Sequence, residues 1–416
     1  MNLHQITLKG RLWVANQKAF IFSSEGIPAQ YGIGKYIDIL KLEASKKIER
    51  DFVFVYRSDK YDSMQYHQDG NIITFEIPHA KKGRKLTRLS AIGIIAVLDN
   101  AIGIDESDVF HFNESEHGTL VEVLKDFYGC RIIYTIHFSL WSFFYKNDYS
   151  KFIKDWESGK EAIVNSEIST ISAEQSMCKL SDVIISLNAG TQRFLKEVYG
   201  IEPQKIKQIE NGVNIHPKQM SPEETALFRY NLGLDQDDKV ILYVGRVDEE
   251  KGIKFLIQSY LAIDRIHNYK LIIVGHGDIN GMLPLIYNKW RNIIFTGYIP
   301  TTMIPNFYNI ANFFVLPSLS EQGSYSVLEA ISHKKPILVS DIPAFEYLVS
   351  GETAIKVKLS QDGTKIENDV LQMQLEKFIF DQSGHTEMTD KSYKLISDHF
   401  SSEKMFSILH SLYFSN

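Results

Sequence analysis

Along the chain, short uninterrupted apolar runs alternate with stretches in which apolar residues recur every three or four positions. Runs bounded by turn residues read as buried strands, and the periodic stretches between them as helices. In the first half the runs predict strands at 19–23, 52–56, 72–76, 109–112, 131–136 and 183–187, with helices such as 34–47 and 119–127 between them. The second half starts the series again, at 239–244, 270–274, 293–295, 313–316 and 336–339. This repeated strand–helix alternation predicts an α/β protein with two doubly wound, Rossmann-like parallel sheets. The seam falls near Gln208-Ile209-Glu210-Asn211-Gly212-Val213-Asn214, after which Pro217, Pro222 and polar residues form a connector. The last segment, 391–413, has helical apolar spacing through Leu395, Ile396, Phe400, Met405, Ile408, Leu409 and Leu412. The expected domains are therefore 1–210 and 211–390, with 391–416 a helix packing back on the first.

The length of 416 residues supports this division, because single cores stop growing at roughly 250–300 residues. Basic residues number 45 against 51 acidic, and a net charge of −6 argues against a nucleic-acid binder. Cys130 and Cys178 have no metal-ligand spacing and make no disulfide framework, which fits a reducing cytoplasm. Met1-Asn2-Leu3-His4-Gln5-Ile6 lacks the basic and apolar regions of a signal peptide. The longest apolar stretch, 89–98, falls short of the roughly 20 residues that span a bilayer. The expectation is a cytoplasmic protein without membrane spans.

The second half carries the strongest chemistry. Val244-Gly245-Arg246-Val247-Asp248-Glu249-Glu250-Lys251-Gly252 follows its first strand directly. A strand end, a glycine, then an arginine fork and a lysine point charge five residues on make a suitable cradle for a diphosphate. The bland alternative is a charged surface loop. Further on, Pro317-Ser318-Leu319-Ser320-Glu321-Gln322-Gly323-Ser324-Tyr325-Ser326-Val327-Leu328-Glu329-Ala330 places small polar residues at a helix start, where free N–H groups could face phosphate. Glu329, inside that helix, could accept from ribose hydroxyls, and Glu321 from a sugar. The bland alternative is that both are solvated helix-face carboxylates, the usual fate of a glutamate.

Together these segments resemble the carboxyl-terminal domain of the family 4 glycosyltransferases, which have the GT-B fold. That family carries Gly-Arg-x4-Lys-Gly followed by Glu-x7-Glu, matched here at Gly245–Gly252 and Glu321–Glu329. The resemblance continues through Val274-Gly275-His276-Gly277-Asp278, Phe295-Thr296-Gly297-Tyr298-Ile299-Pro300 and Asn211-Gly212-Val213-Asn214. In the first half, Gln30-Tyr31-Gly32-Ile33-Gly34-Lys35-Tyr36 resembles the family's glycine-rich loop, and Tyr134-Thr135-Ile136-His137-Phe138 its Thr-x-His. Ser186-Leu187-Asn188-Ala189 matches the strand before the interdomain region.

The resemblance implies a retaining transfer from a nucleotide-sugar, UDP- or GDP-linked, to a glycan, lipid-linked, metabolite or peptide hydroxyl, in a cleft between the two domains. It assigns His137, Arg246, Lys251 and Glu321 to the reacting centre. It assigns Gly32, Gly34, Gly245, Gly275, Gly297, Tyr298, Ile299, Gly323, Ser324, Tyr325 and Glu329 to the donor. Fixed positive charge at the leaving phosphate is what such a step needs most. Arg246, Lys251 and a helix N-terminus would supply it, no Asp-x-Asp dyad is present, and neither metal nor cofactor is expected. Same-face departure and attack, with the phosphate as base, is expected over a covalent intermediate on Glu321.

Four positions depart from the family pattern. Tyr31-Gly32 replaces a pair of glycines, and Glu321-Gln322-Gly323-Ser324 moves a glycine by one place. Ser332-His333-Lys334-Lys335-Pro336 has lysine where Ala-x-Gly-x-Pro has glycine, and Phe138 replaces an aspartate. These changes bear on the shape of the sugar pocket. Separately, His79-Ala80-Lys81-Lys82-Gly83-Arg84-Lys85-Leu86-Thr87-Arg88 runs into the apolar 89–98, so that 79–98 could meet an anionic membrane or guide an anionic acceptor. Two rival readings keep the fold: a GT-B nucleotide-sugar epimerase, and a catalytically silent sugar-nucleotide-binding partner. The first lacks the Glu-x7-Glu context; turnover separates the second.

Overall fold

Two sheets, each with its own core, carry the chain. The computed structural model describes residues 17–24, 32–58, 60–79, 86–158, 166–264, 266–287 and 290–414. These divide into two units: one holds the described residues up to His137, 166–210 and those from Met405 on; the other holds 138–158 and 211–404.

The first half runs β1 (Ala19–Ser24), α1 (Gly32–Ser45), β2 (Phe52–Ser58), β3 (Gln65–Asp69), β4 (Ile72–Pro78), α2 (Arg88–Ile102), β5 (Val109–Phe112), α3 (Gly118–Phe127), β6 (Arg131–Ile136), α4 (Leu140–Tyr145), α5 (Tyr149–Ser158), α6 (Ser166–Leu180), β7 (Val183–Ser186), α7 (Ala189–Glu197) and β8 (Ile206–Gln208). The first unit's sheet has the order β3-β4-β2-β1-β5-β6-β7-β8, parallel except where β3 pairs with β4. Every residue of β1 and β5 is buried, as expected of strands covered on both faces. Phe20 pairs in register with Val53 and Phe110, and the Phe20 and Phe110 rings stack at 4.4 Å.

The second half runs α8 (Pro222–Asn231), β9 (Lys239–Val244), α9 (Ile253–Leu261), β10 (Tyr269–Val274), α10 (Leu283–Ile286), β11 (Ile293–Gly297), α11 (Ile304–Ile310), β12 (Phe313–Leu316), α12 (Tyr325–Ser332), β13 (Ile337–Ser340), β14 (Ile355–Val357), α13 (Asn368–Phe380), α14 (His385–His399) and α15 (Ser402–Phe414). Its sheet is parallel throughout, in the order β11-β10-β9-β12-β13-β14. Both orders reverse beside the unit's first strand, at β1/β5 and at β9/β12. Such switch points leave a crevice at the carboxyl ends of the strands.

Three strands carry no usable apolar signal and were not expected. β3 (Gln-Tyr-His-Gln-Asp) is a polar edge strand, while β8 and β14 have three residues each. The single helix expected over 391–413 is two. α14 stops at His399 because the backbone of 400–402 is claimed elsewhere: the N–H of Val213 donates to the Phe400 carbonyl (2.8 Å), and that of Ser402 to the Val213 carbonyl (3.0 Å). Up to Lys404 the segment belongs to the second unit. From Met405 it belongs to the first: Phe406 and Phe414 lie against Phe52, and the buried Tyr413 hydroxyl meets His111 Nδ1 at 2.7 Å. Residues 138–158, expected within 1–210, belong to the second unit. Met1 to Ile6 lie outside the described residues, as do 80–85 of the basic stretch.

Candidate functional site

In the second unit the loops after β9 and β12 flank the switch point. Gly252, which has φ +66°, is where they touch: a Cβ there would lie 1.9 Å from the carbonyl oxygen of Pro317. The Leu319 N–H donates to the Glu250 carbonyl at 2.8 Å, fixing the loops side by side. Lys251 Nζ then meets Glu321 Oε1 at 2.8 Å, and the same oxygen accepts from Ser318 Oγ at 2.8 Å. Arg246 sits between Asp248 and Glu250, both at 3.1 Å. The structure therefore brings Arg246, Lys251 and Glu321 onto two adjoining loops, with the arginine fork held by carboxylates of its own loop. Burial raises the pKa of Glu250.

Several glycines expected at the donor have internal duties. A Cβ on Gly245 would press on the Tyr243 hydroxyl at 3.1 Å, and one on Gly275 (φ +142°) would strike the Gly245 carbonyl at 1.8 Å. Gly275 thus lets the loop after β10 close on the loop after β9. Gly297, with φ +67°, faces open space. It is followed by exposed Tyr298, whose ring lies edge-on to His276 at 6.1 Å, and by Ile299, whose side chain packs on the core.

Ser324 is the N-cap of α12 and makes no side-chain cap bond to it. Tyr325 opens the helix, and the Gly323 carbonyl accepts from Asn211 Nδ2 at 2.8 Å, tying the connector to this loop. Glu329 lies in the second turn, partly exposed, with Oε2 3.0 Å from the Tyr308 hydroxyl. The segment 138–158 also reaches the loop after β9: Lys146 Nζ meets Glu249 at 2.8 Å, and Ser142 Oγ meets Glu250 at 3.4 Å. No sequence pattern pointed to those contacts, nor to Tyr308.

In the first unit His137 follows β6. Its Nε2 is 2.9 Å from Asn113 Oδ1, and the Asn113 amide nitrogen donates to the Phe22 carbonyl, so Nε2 carries the proton and Nδ1 is an acceptor. Burial holds its pKa down, at about 3, and Tyr36 from α1 covers the ring edge-on at 4.6 Å. Gly32 and Gly34 occupy the first turn of α1. Gln30 and Tyr31 lie outside the described residues. Sequence reasoning missed a second cluster, after β5. Glu114 Oε1 there accepts from Ser23 Oγ (2.9 Å) and the Ser24 N–H (3.2 Å), and burial pushes its pKa up to about 8. Among the described residues no three His, Cys, Asp or Glu side chains could hold a metal, and no helix is long and apolar enough to cross a membrane.

Comparison with known proteins agrees with this architecture. Residues 50–216 match the family model "Glycosyltransferase Family 4", and residues 225–372 match "Glycosyl transferases group 1". An uncharacterized glycosyltransferase of Methanocaldococcus jannaschii is 30% identical over 41% of this chain and 45% of its own length. The processive diacylglycerol alpha-glucosyltransferase of Acholeplasma laidlawii is 24% identical over 54% of this chain and 65% of its own. The chain thus spans about half to two thirds of the curated relatives it matches. Among solved structures, Anabaena HepE in complex with UDP and glucose shares the fold, with a TM-score of 0.72 at 15% identity over 96% of this chain and 100% of that one.

Proposed function

The chain belongs to the glycosyltransferases of the family 4 type, and on that premise we propose that it moves a sugar from a nucleotide-diphosphate sugar to a hydroxyl acceptor with retention of configuration. The observation that carries the reading is the pair of loops at the β9/β12 switch point, where Lys251 meets Glu321 and Arg246 lies on the same loop as Lys251, the second loop leading into α12, which carries Glu329. The cations take the diphosphate, Glu329 the ribose, and Glu321 the hydroxyls of the transferred sugar. Arg246 exchanges its own-loop carboxylates for phosphate oxygens when donor binds.

The bond from C1 to the diphosphate oxygen breaks as the bond from C1 to the acceptor oxygen forms on the same face, and the acceptor's proton passes to the leaving phosphate. Arg246 and Lys251 balance the charge that grows there, so the step needs no metal. In the first unit, His137 is neutral and offers Nδ1 as an acceptor. A relative that glucosylates diacylglycerol and a neighbour that holds UDP make a UDP-sugar and a lipid-linked acceptor the first substrates to try. The basic stretch before α2, whose Leu89 is exposed, then serves as contact with an anionic membrane.

The test is a thermal-shift panel of UDP, GDP, ADP and their sugars on wild type and Arg246→Ala. Ligand at about 100 times its dissociation constant adds about 2.7 kcal/mol. One nucleotide should raise the melting temperature of the wild type alone. No shift with any nucleotide would remove the reading.

A further inference from the structure

We propose that Tyr308 is a positioning residue for nucleotide recognition, holding the carboxylate of Glu329 in the orientation that meets the ribose hydroxyls of a nucleoside diphosphate. The inference rests on the reading above and assigns a duty to a residue on α11, outside the motifs that carry that reading. Tyr308 is wholly buried. Its single hydroxyl proton lies between Glu329 Oε2 at 3.0 Å and the Ser326 carbonyl at 3.1 Å, two acceptors one helical turn apart on α12. Burial keeps the phenol protonated far above neutral pH, so it remains a donor.

Tyr308 is itself fixed. Its ring stacks on His333 at 5.1 Å with 24° between the planes, and lies 5.9 Å from Phe314. His333 Nδ1 donates to the Glu329 carbonyl at 2.8 Å. The Tyr308–His333 pair therefore grips Glu329 at both its side chain and its backbone, from the core side, while the residue remains partly exposed. A carboxylate offers about four acceptor positions, and the tyrosine occupies one. A free glutamate loses side-chain entropy on being ordered by a ligand, so ordering it beforehand tightens binding.

The hydroxyl could also serve stability alone, and the ribose separates the two cases. UDP and GDP, and their 2′,3′-dideoxy forms, are titrated into wild type and Tyr308→Phe by calorimetry, with ligand-free melting recorded for each. The substitution should weaken the ribonucleotide about fivefold, the order expected of one hydrogen bond, and leave the dideoxynucleotide unchanged. In a Glu329→Ala background, Tyr308→Phe should add no further loss. Equal weakening of both nucleotides, or a full effect without Glu329, would overturn the proposal while leaving the glycosyltransferase reading in place. Binding of no nucleoside diphosphate by the wild type, ADP included, would take both down.

Discussion

At residue scale, Lys334 shows how a departure in sequence becomes a strained backbone. It takes φ +54° just beyond α12, where its N–H donates to the Ile331 carbonyl and that of Lys335 to the Ala330 carbonyl. This is the helix-ending geometry that favours glycine, and the family pattern has glycine at this place. The lysine side chain compensates through contact with Tyr393 at 4.9 Å and a long exposed pair with Asp390. Relieving a left-handed residue is worth about 1 kcal/mol, so Lys334→Gly should raise the melting temperature of the second unit by about 2–4 °C. A fall on thermal melting would mean that the side chain outweighs the strain.

A second residue-scale prediction concerns Glu174, buried among Tyr199 (2.7 Å) and Tyr134 (3.3 Å). Burial raises its pKa from 4.5 to about 7. The folded state then holds a proton that the unfolded chain releases, so stability is full below pH 4.5 and is lost as pH rises through 7. Up to about 3 kcal/mol is involved. Glu174→Gln should gain on wild type between pH 5 and pH 8 in thermal melts; a pH-independent difference would contradict the assignment.

At the scale of elements, α15 completes the first unit's core. Tyr413, fully buried, closes a chain of hydrogen bonds through His111 to Thr135, at 2.7 Å on each side of the ring. Tyr413→Phe leaves His111 Nδ1 without its partner and should cost about 1–3 kcal/mol, read as a lower denaturant midpoint with an unchanged slope. A neutral result would show that the hydroxyl contributes only packing. β1, β2, β9 and β12 were legible because their residues are nearly all buried, so that apolar content alone betrays them. β3 was illegible because an edge strand alternating between exposed and partly buried positions needs no apolar run.

At the scale of the whole molecule, two units with separate cores predict two unfolding transitions in calorimetry. On the proposed reading, a bound nucleotide should raise the transition of the second unit more than that of the first, since the residues assigned to it, Arg246, Lys251, Glu321 and Glu329, all lie in that unit. A single transition shifted as one would show that the units unfold together.

The alternation of strands and helices and the order of the strands' apolar runs were determined by sequence alone. Local periodicity encodes which faces are buried, and that alone sets the strands and helices apart. The tertiary structure decided the rest. It broke the last helix by giving the backbone of 400–402 a partner at Val213, and it moved 138–158 into the second unit. It also set Tyr308 behind Glu329 and Asn113 behind His137. These contacts join residues 21 or more positions apart. No periodicity reaches across such a separation, because only the folded sheet brings the partners together.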